Sequence, residues 1–318
     1  MRLSKHTIIS RITDSEEYFI INPLVQQADI LDKEEAEKIL SGDYSLPALQ
    51  DKKYVMSEQE EQQIFTQKYL DFIDARDSDE IQIFFAPWYA CNFACSYCYQ
   101  HEYTNPNEQV KPEIIDAFFE YIETTFAGRR KYITIFGGEP LMKGEKHAQV
   151  IESIITQAAE KNIDIAVVTN GYHINEYIDV LAQGHIREVQ VTLDGTENVH
   201  NSRRMIHGGG GSFTEIVSGI DTLLSRKVPV NLRVVVDKDN ISNLPELAEF
   251  AREKGWTNSP LFKTQLGRNY ELHSCQTNNQ KLFSRIDMYR EIYSLIQHHP
   301  GFLDFHKPAF SISKFLWE

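Results

Sequence analysis

Three cysteines, Cys91, Cys95 and Cys98, stand in the run CNFACSYC, with three residues between the first pair and two between the second. The chain has four cysteines in 318 residues, too few for a disulfide scaffold, and thiols grouped this tightly read as metal ligands or redox groups. Three thiolates leave a tetrahedral zinc ion one ligand short. In an iron–sulfur cubane they hold three irons and leave the fourth open, as a reactive centre requires. His101, three residues beyond Cys98, is placed to complete a Cys3His zinc site, so both metals stand at this point. Cys275 is alone and reads as a free thiol.

Further polar and glycine-rich sets close apolar runs: Gly137-Gly138-Glu139-Pro140, Thr169-Asn170-Gly171 and Thr192-Leu193-Asp194-Gly195. Any one of them makes an ordinary turn. Together, following runs that read as parallel strands, they point to one shared mouth, because ligands of parallel α/β sheets bind at the carboxyl ends of the strands. The four glycines at 208–211 have no Lys-Ser or Lys-Thr after them and read as a loop rather than a phosphate-binding turn.

The elements that must position these residues alternate. Strands are expected at 81–87, 132–138, 163–170, 188–195, 230–237 and 261–266, with amphipathic helices between them, as in PEIIDAFFEYIETTF and LPELAEFAREKG. Near-continuous apolar strands alternating with helices indicate a parallel sheet. Six βα units without a dinucleotide fingerprint make the expected fold class α/β, a partial (β/α)6 TIM-like barrel with a small N-terminal α+β domain. Residues 1–78 form that N-terminal segment, with two strand-like runs, a helix starting at Asp32 and another capped by Ser57 and Glu60. The polar stretch at 75–80 reads as a linker. Residues 79–270 form the core and 271–318 a helical C-terminal segment.

Composition removes several classes. The formal net charge is −14 and the pI near 5.3, without the clustered Lys and Arg that nucleic acid requires. No apolar run approaches a membrane span, and the N-terminus lacks a signal-peptide h-region. The expectation is a cytoplasmic protein with no nucleic-acid or membrane partner.

C-x3-C-x2-C with an aromatic residue before the last cysteine, followed by Phe-Gly-Gly-Glu-Pro at 136–140, TNG at 169–171 and VTLDG at 191–195, resembles the radical S-adenosylmethionine (SAM) superfamily. The stretch LDGTENVHNSRR at 193–204 is similar to its peptide-modifying branch: anaerobic sulfatase-maturating enzymes and maturases of ribosomally made peptides, many of which carry a SPASM or twitch extension. The resemblance implies a 4Fe–4S cluster on Cys91, Cys95 and Cys98, with SAM on the open iron, cleaved reductively to attack a peptide or protein side chain. It also implies a reductant such as flavodoxin or ferredoxin. By the same resemblance, Tyr97 contacts adenine and Gly137 and Gly138 let the backbone approach the methionine part of SAM. Glu139 accepts from its amino group, Pro140 ends the strand pairing, Thr192 meets the ribose, and Asn170 and Asp194 stand nearby. Arg204, or its neighbour Arg203, pairs with the SAM carboxylate. Residues 1–318 hold no cysteine-rich extension, and the sequence reads as a fragment that ends where one would begin. The N-terminal strands resemble leader-peptide recognition domains. A radical SAM enzyme acting on a small molecule and a non-catalytic iron–sulfur redox sensor are the alternatives.

Overall fold

The computed structural model describes residues 1–103, 108–269 and 281–308, without the side chains of Asp77, His101 and Glu102; Cys275 lies outside the described residues. Two compact units divide the chain between Asp79 and Glu80.

The first unit begins with β1 (Arg2–Leu3), β2 (Ile8–Arg11), β3 (Tyr18–Asn22) and β4 (Gln27–Leu31). It continues through α1 (Lys33–Leu40), α2 (Pro47–Asp51), β5 (Val55–Met56) and α3 (Glu58–Ser78). Strands β2, β3 and β4 form an antiparallel sheet with β3 in the centre, and β1 pairs with β5. Asp32 caps α1 in a reciprocal box: its carboxylate accepts from Glu35 N at 2.8 Å, and the Glu35 carboxylate accepts from Asp32 N at 3.2 Å. At α3, Ser57 accepts from Glu60 N at 3.1 Å, but the Glu60 carboxylate turns to Lys53, so only half of the box expected there forms. The linker expected at 75–80 is shorter than its polar run, with the boundary between the units at Asp79 and Glu80. Helix α3 continues to Ser78, because polar residues such as Arg76 and Asp77 continue a helix as well as they end one. Ile20, Ala36, Ile39, Leu49 and Tyr54 fill the small core of this unit.

The second unit carries β6 (Ile81–Phe85), β7 (Phe93–Cys95), α4 (Pro112–Thr125), β8 (Lys131–Ile135) and α5 (Glu145–Glu160). After these come β9 (Asp164–Thr169), α6 (Ile174–Leu181), β10 (Ile186–Thr192), α7 (Glu197–Arg203) and β11 (Arg204–Ile206). The last elements are α8 (Phe213–Ser225), β12 (Val230–Val236), α9 (Leu244–Glu253), β13 (Phe262–Arg268), α10 (Arg285–His298) and α11 (Phe302–Phe305). Six strands stand in the order β6-β8-β9-β10-β12-β13, each parallel to the next, with helices in the crossovers. This is the partial TIM-like barrel that the alternation of apolar runs predicts. One face of the sheet is sealed: Ile133, Ile135, Ile165, Val167, Val189, Val191, Leu232 and Val234 are all 0% exposed, each burial worth roughly 1.5–3 kcal/mol. Strand alternation sends Gln190, Thr192, Arg233 and Gln265 to the other, concave face. Among the described residues no helix is long and apolar enough to cross a membrane.

In the first unit the buried Glu61 on α3 pins the N-terminus. Its carboxylate accepts from Ser4 Oγ at 2.5 Å, Lys5 N at 2.9 Å and Arg2 Nη2 at 2.6 Å. Burial pushes its pKa up, but the donors from Ser4 and Arg2 outweigh that and hold it below the ordinary glutamate value. A carboxylate with a lowered folded pKa stabilises above the unfolded value and loses that stabilisation as pH falls through the folded one. Glu61→Gln is therefore expected to lower the melting temperature at pH 7, with the gap to wild type closing below about pH 4.3, measured by calorimetry across pH.

Candidate active site

The cysteine loop leaves β6 at Phe85 and is tied down by a short antiparallel ribbon. Strand β7 pairs with β11, placing Arg204 opposite Cys95 and Ile206 opposite Phe93. Flanking bonds extend it: Ser96 N donates to Arg203 O at 2.9 Å and His207 N to Asn92 O at 2.9 Å. Residues far apart in the sequence thus share one wall, at the carboxyl ends of the strands.

The turn after β8 packs against the start of this loop. At Gly138 an added Cβ would stand 2.2 Å from Ala90 O and 2.3 Å from Tyr89 O; at Gly137, where φ is +144°, it would stand 2.4 Å from Trp88 O. The two glycines therefore have a reason that the sequence does not show: they admit the backbone of residues 88–90. Strand β8 ends at Ile135, and Phe136 N still bonds Phe85 O at 3.0 Å, so pairing stops at the glycines and not at the buried Pro140.

Glu139 is the centre of this turn. Its N–H donates to Ala90 O at 2.9 Å and its carbonyl accepts from Trp88 Nε1 at 2.6 Å. Its carboxylate, 1% exposed, accepts from Leu141 N at 2.8 Å, Thr169 Oγ1 at 2.6 Å and Asn170 N at 2.5 Å. Burial lifts its pKa to about 6 against the pull of these three donors. Asn170 completes the link, its Nδ2 donating to Asn92 Oδ1 at 2.7 Å and lying 3.9 Å from Cys91 Sγ.

Cys91 and Cys98, with Phe93, Gln100, Tyr103 and His207, line a pocket of about 330 Å³, within the size range of ligand sites. Cys95 is buried beside it. Burial pushes the Cys91 thiol up to about 12 and raises Cys95 as well, so these groups ionise against a cation and not in isolation. Phe93 N points at Cys91 Sγ from 3.4 Å, the kind of donor that tunes a metal thiolate. Among the described residues no three His, Cys, Asp or Glu side chains converge on a single ion. A cubane asks only one thiolate per iron. The zinc alternative rests on His101, whose side chain is outside those described.

Behind the pocket lies a buried ionic network. The Tyr97 hydroxyl donates to Asp194 Oδ2 at 2.6 Å and accepts from Arg204 Nη1 at 2.6 Å, and the Arg203 guanidinium covers its ring at 5.2 Å. The Tyr97 side chain is thus engaged by Asp194, Arg203 and Arg204, which leaves its main chain, beside Cys98, as the part that can meet adenine. Asp194, 0% exposed, accepts from Val235 N at 3.0 Å on its other oxygen, and its carbonyl accepts from Asn240 Nδ2 at 2.8 Å. It braces the wall through both oxygens. Arg203 is a buried fork on Asp237, at 2.8 and 2.9 Å, not a surface residue. Arg204 differs. It is 7% exposed, and its Nε, like Asn92 Nδ2, is buried without a hydrogen-bond partner among the described residues. Burial would lower its pKa, but Tyr97, Cys95 and Asp194 hold it well above the ordinary value. Thr192, the last residue of β10, is buried.

His200 and Asp237 belong to this network and escape sequence reading. His200 accepts from Asp194 N at 3.2 Å and lies 3.0 Å from Ser212 Oγ, and Ser212 in turn donates to Arg204 O at 3.3 Å. That fixes a neutral imidazole with its proton on Nε2; burial, then the two arginines, keeps its pKa well below the ordinary value. The run HNSRR contains the residue, but nothing in it marks the histidine as buried.

A family model described as the Radical SAM superfamily matches residues 86–251, which is 166 of 318 residues. A cysteine-type anaerobic sulfatase-maturating enzyme of Clostridium novyi is 25% identical over 173 residues, covering 52% of this chain and 46% of that protein. A GTP 3′,8-cyclase of Nautilia profundicola is 28% identical over 171 residues, covering 52% and 51%. The chain spans about half the length of these relatives. The crystal structure of Streptococcus suis SuiB bound to precursor peptide SuiA aligns over 98% of this chain and 74% of that one, with TM-score 0.55 and 14% identity, a likeness of fold.

Glu139→Gln is expected to destabilise the protein by about 1–3 kcal/mol, because an amide would turn a donor toward donors already present in a buried site. Gly138→Ala, which sets a Cβ against two carbonyls, is expected to loosen residues 88–90. Melting temperature checks the first, and hydrogen exchange of the cysteine loop the second.

Proposed function

Because the chain belongs to the radical SAM superfamily, whose members use a 4Fe–4S cluster and SAM, we propose that Cys91, Cys95 and Cys98 hold that cluster and that the enzyme modifies a side chain of a peptide or protein. The observation that carries the assignment is the β7–β11 ribbon, which sets the partly unpartnered Arg204 directly opposite Cys95. The residues fit the cofactors. Two thiols line the pocket and a third is buried beside it, a backbone N–H faces Cys91, and a buried guanidinium with a spare N–H suits a carboxylate.

The chemistry supplied by the bound cluster and SAM is reductive cleavage of SAM and abstraction of a substrate hydrogen. The chain's own residues orient and exclude. Arg204 offers Nε to the SAM carboxylate while Tyr97 and Asp194 fix its plane. Glu139 has one lone-pair direction left for the SAM amino group beyond its three donors. The main chain at Gly137, Gly138 and Pro140 would flank the methionine part of SAM, Asn170 orients Asn92 beside Cys91, and Thr192 would meet the ribose.

Support for a peptide substrate comes from three directions: the sulfatase-maturating relatives, the likeness to a fold solved with a precursor peptide, and the N-terminal sheet. Strands β2 and β4 each have one paired neighbour among the described residues, so each leaves a row of backbone groups on which a leader peptide adds as a strand. The GTP 3′,8-cyclase relatives favour a second reading, a small-molecule substrate.

Anaerobically reconstituted protein is expected to bind about four irons, from one cubane, and to convert SAM to 5′-deoxyadenosine, with both lost when the three cysteines are changed to alanine. Iron retained in that variant would overturn the ligand assignment. Deleting residues 1–78 is expected to weaken calorimetric binding of a precursor peptide encoded beside this chain while SAM cleavage persists; equal affinity would remove the recognition role.

A further inference from the structure

Arg233 stands on β12 between Leu232 and Val234, which are wholly buried beneath the helices, so alternation turns it to the concave face. Register sets Thr192 of β10 and Gln265 of β13 beside it. The side chain reaches on along the neighbouring strand to Gly267. A Cβ at that glycine would stand 3.0 Å from Arg233 Nη2 and 3.3 Å from Cζ, so the missing side chain is what leaves room for the guanidinium. Gly267 pairs with Val235, and the N–H of Val235 donates to Asp194. The guanidinium is thus directed toward the carboxyl ends of the strands, where the cysteine loop and Arg204 also lie.

Other arginines of this unit already have partners. Arg187 meets Glu80 at 2.6 Å, Arg203 meets Asp237 and Asp194, and Arg204 donates to Tyr97. Lys263, another cation of the concave face, is neutralised by Glu188 at 2.5 Å. Among the described residues Arg233 has no hydrogen bond or ion pair, although it is partly buried. A guanidinium cannot shed its charge to escape that position. It is an open anion site facing the mouth.

The charge count selects the anion. One free cation, flanked by a threonine and a glutamine in a chain of net charge −14, matches one carboxylate. A polyphosphate needs several cations at once. Resting on the peptide reading above, we propose that Arg233 determines specificity by clamping a carboxylate of the substrate peptide, an Asp or Glu side chain or a C-terminus, in a bidentate pair.

The test is phenylglyoxal labelling of the reconstituted full chain, read residue by residue by mass spectrometry. Arg233 is expected to label faster than Arg203 and Arg204. With SAM present, acetyl-Ala-Glu-Ala-amide should slow its labelling about tenfold, the scale of a charge-assisted hydrogen bond. The Gln counterpart and tripolyphosphate should not. Gly267→Val, which keeps the charge but displaces the guanidinium, should lose the protection while iron content and substrate-free SAM cleavage stay at wild-type level. Equal protection by the Gln peptide, protection by SAM alone or by tripolyphosphate, no protection by the Glu peptide, or undiminished protection in Gly267→Val would each overturn the clamp. Labelling needs no turnover, so the two readings fail separately. A protected Arg233 in a chain that binds no precursor counts against the peptide reading alone. An unprotected one in a chain that modifies a precursor counts against the clamp alone.

Discussion

Residue 139 carries two tasks that cannot be separated. Its main chain fastens residues 88–90, the approach to Cys91, while its carboxylate gathers the turn after β9 through Thr169 and Asn170. An anion in such a place is costly unless donors surround it. Three do, and burial still wins enough to lift its pKa to about 6. The glycines before it are the condition for this arrangement, because any side chain there would meet carbonyl oxygens and push the two loops apart. Position and charge at the site therefore follow from one packed turn.

A second buried layer stands behind that turn. Asp194, Asp237, Arg203, Arg204 and Tyr97 form a set in which each acid is shared by more than one donor. Removing one partner of such a set leaves an uncompensated buried charge, a loss of several kcal/mol. Rigidity results: the plane of Arg204 and the turn after β10 are fixed before any ligand arrives. The neutral His200, wedged between Asp194 N and Ser212, adds to this without adding charge.

Much of the scaffold is legible in the sequence because its signal is local. The six strands read as apolar runs of the right length, and the polar sets that end them mark their carboxyl ends. What sequence does not yield is pairing at a distance. The β7–β11 ribbon joins segments whose composition is unremarkable for strands, and Arg204 has no feature that places it opposite Cys95. Side-chain direction is equally silent: nothing in the sequence shows that Tyr97 and Asp194 bond each other. The glycines illustrate the same limit. Their presence signals close approach, but not whether the approaching atom belongs to a ligand or to the chain. At 75–80, polarity marks the boundary between the units but not that the helix runs on to Ser78 before it.

The ribbon also dictates an order of assembly. Cys95 and Arg204 are brought together only after β8, β9 and β10 have intervened, and closing so long a loop is entropically expensive and slow compared with forming the local βα units. During synthesis the cysteine loop leaves the ribosome well before the strand that holds it. Until Ile206 follows, nothing in β11 restrains Cys95. The thiols then belong to a mobile segment, exposed to oxidants and to stray metal ions. On the proposed ligand assignment, maturation of the metal centre waits for the ribbon, and the interval before it closes is when these cysteines are most vulnerable.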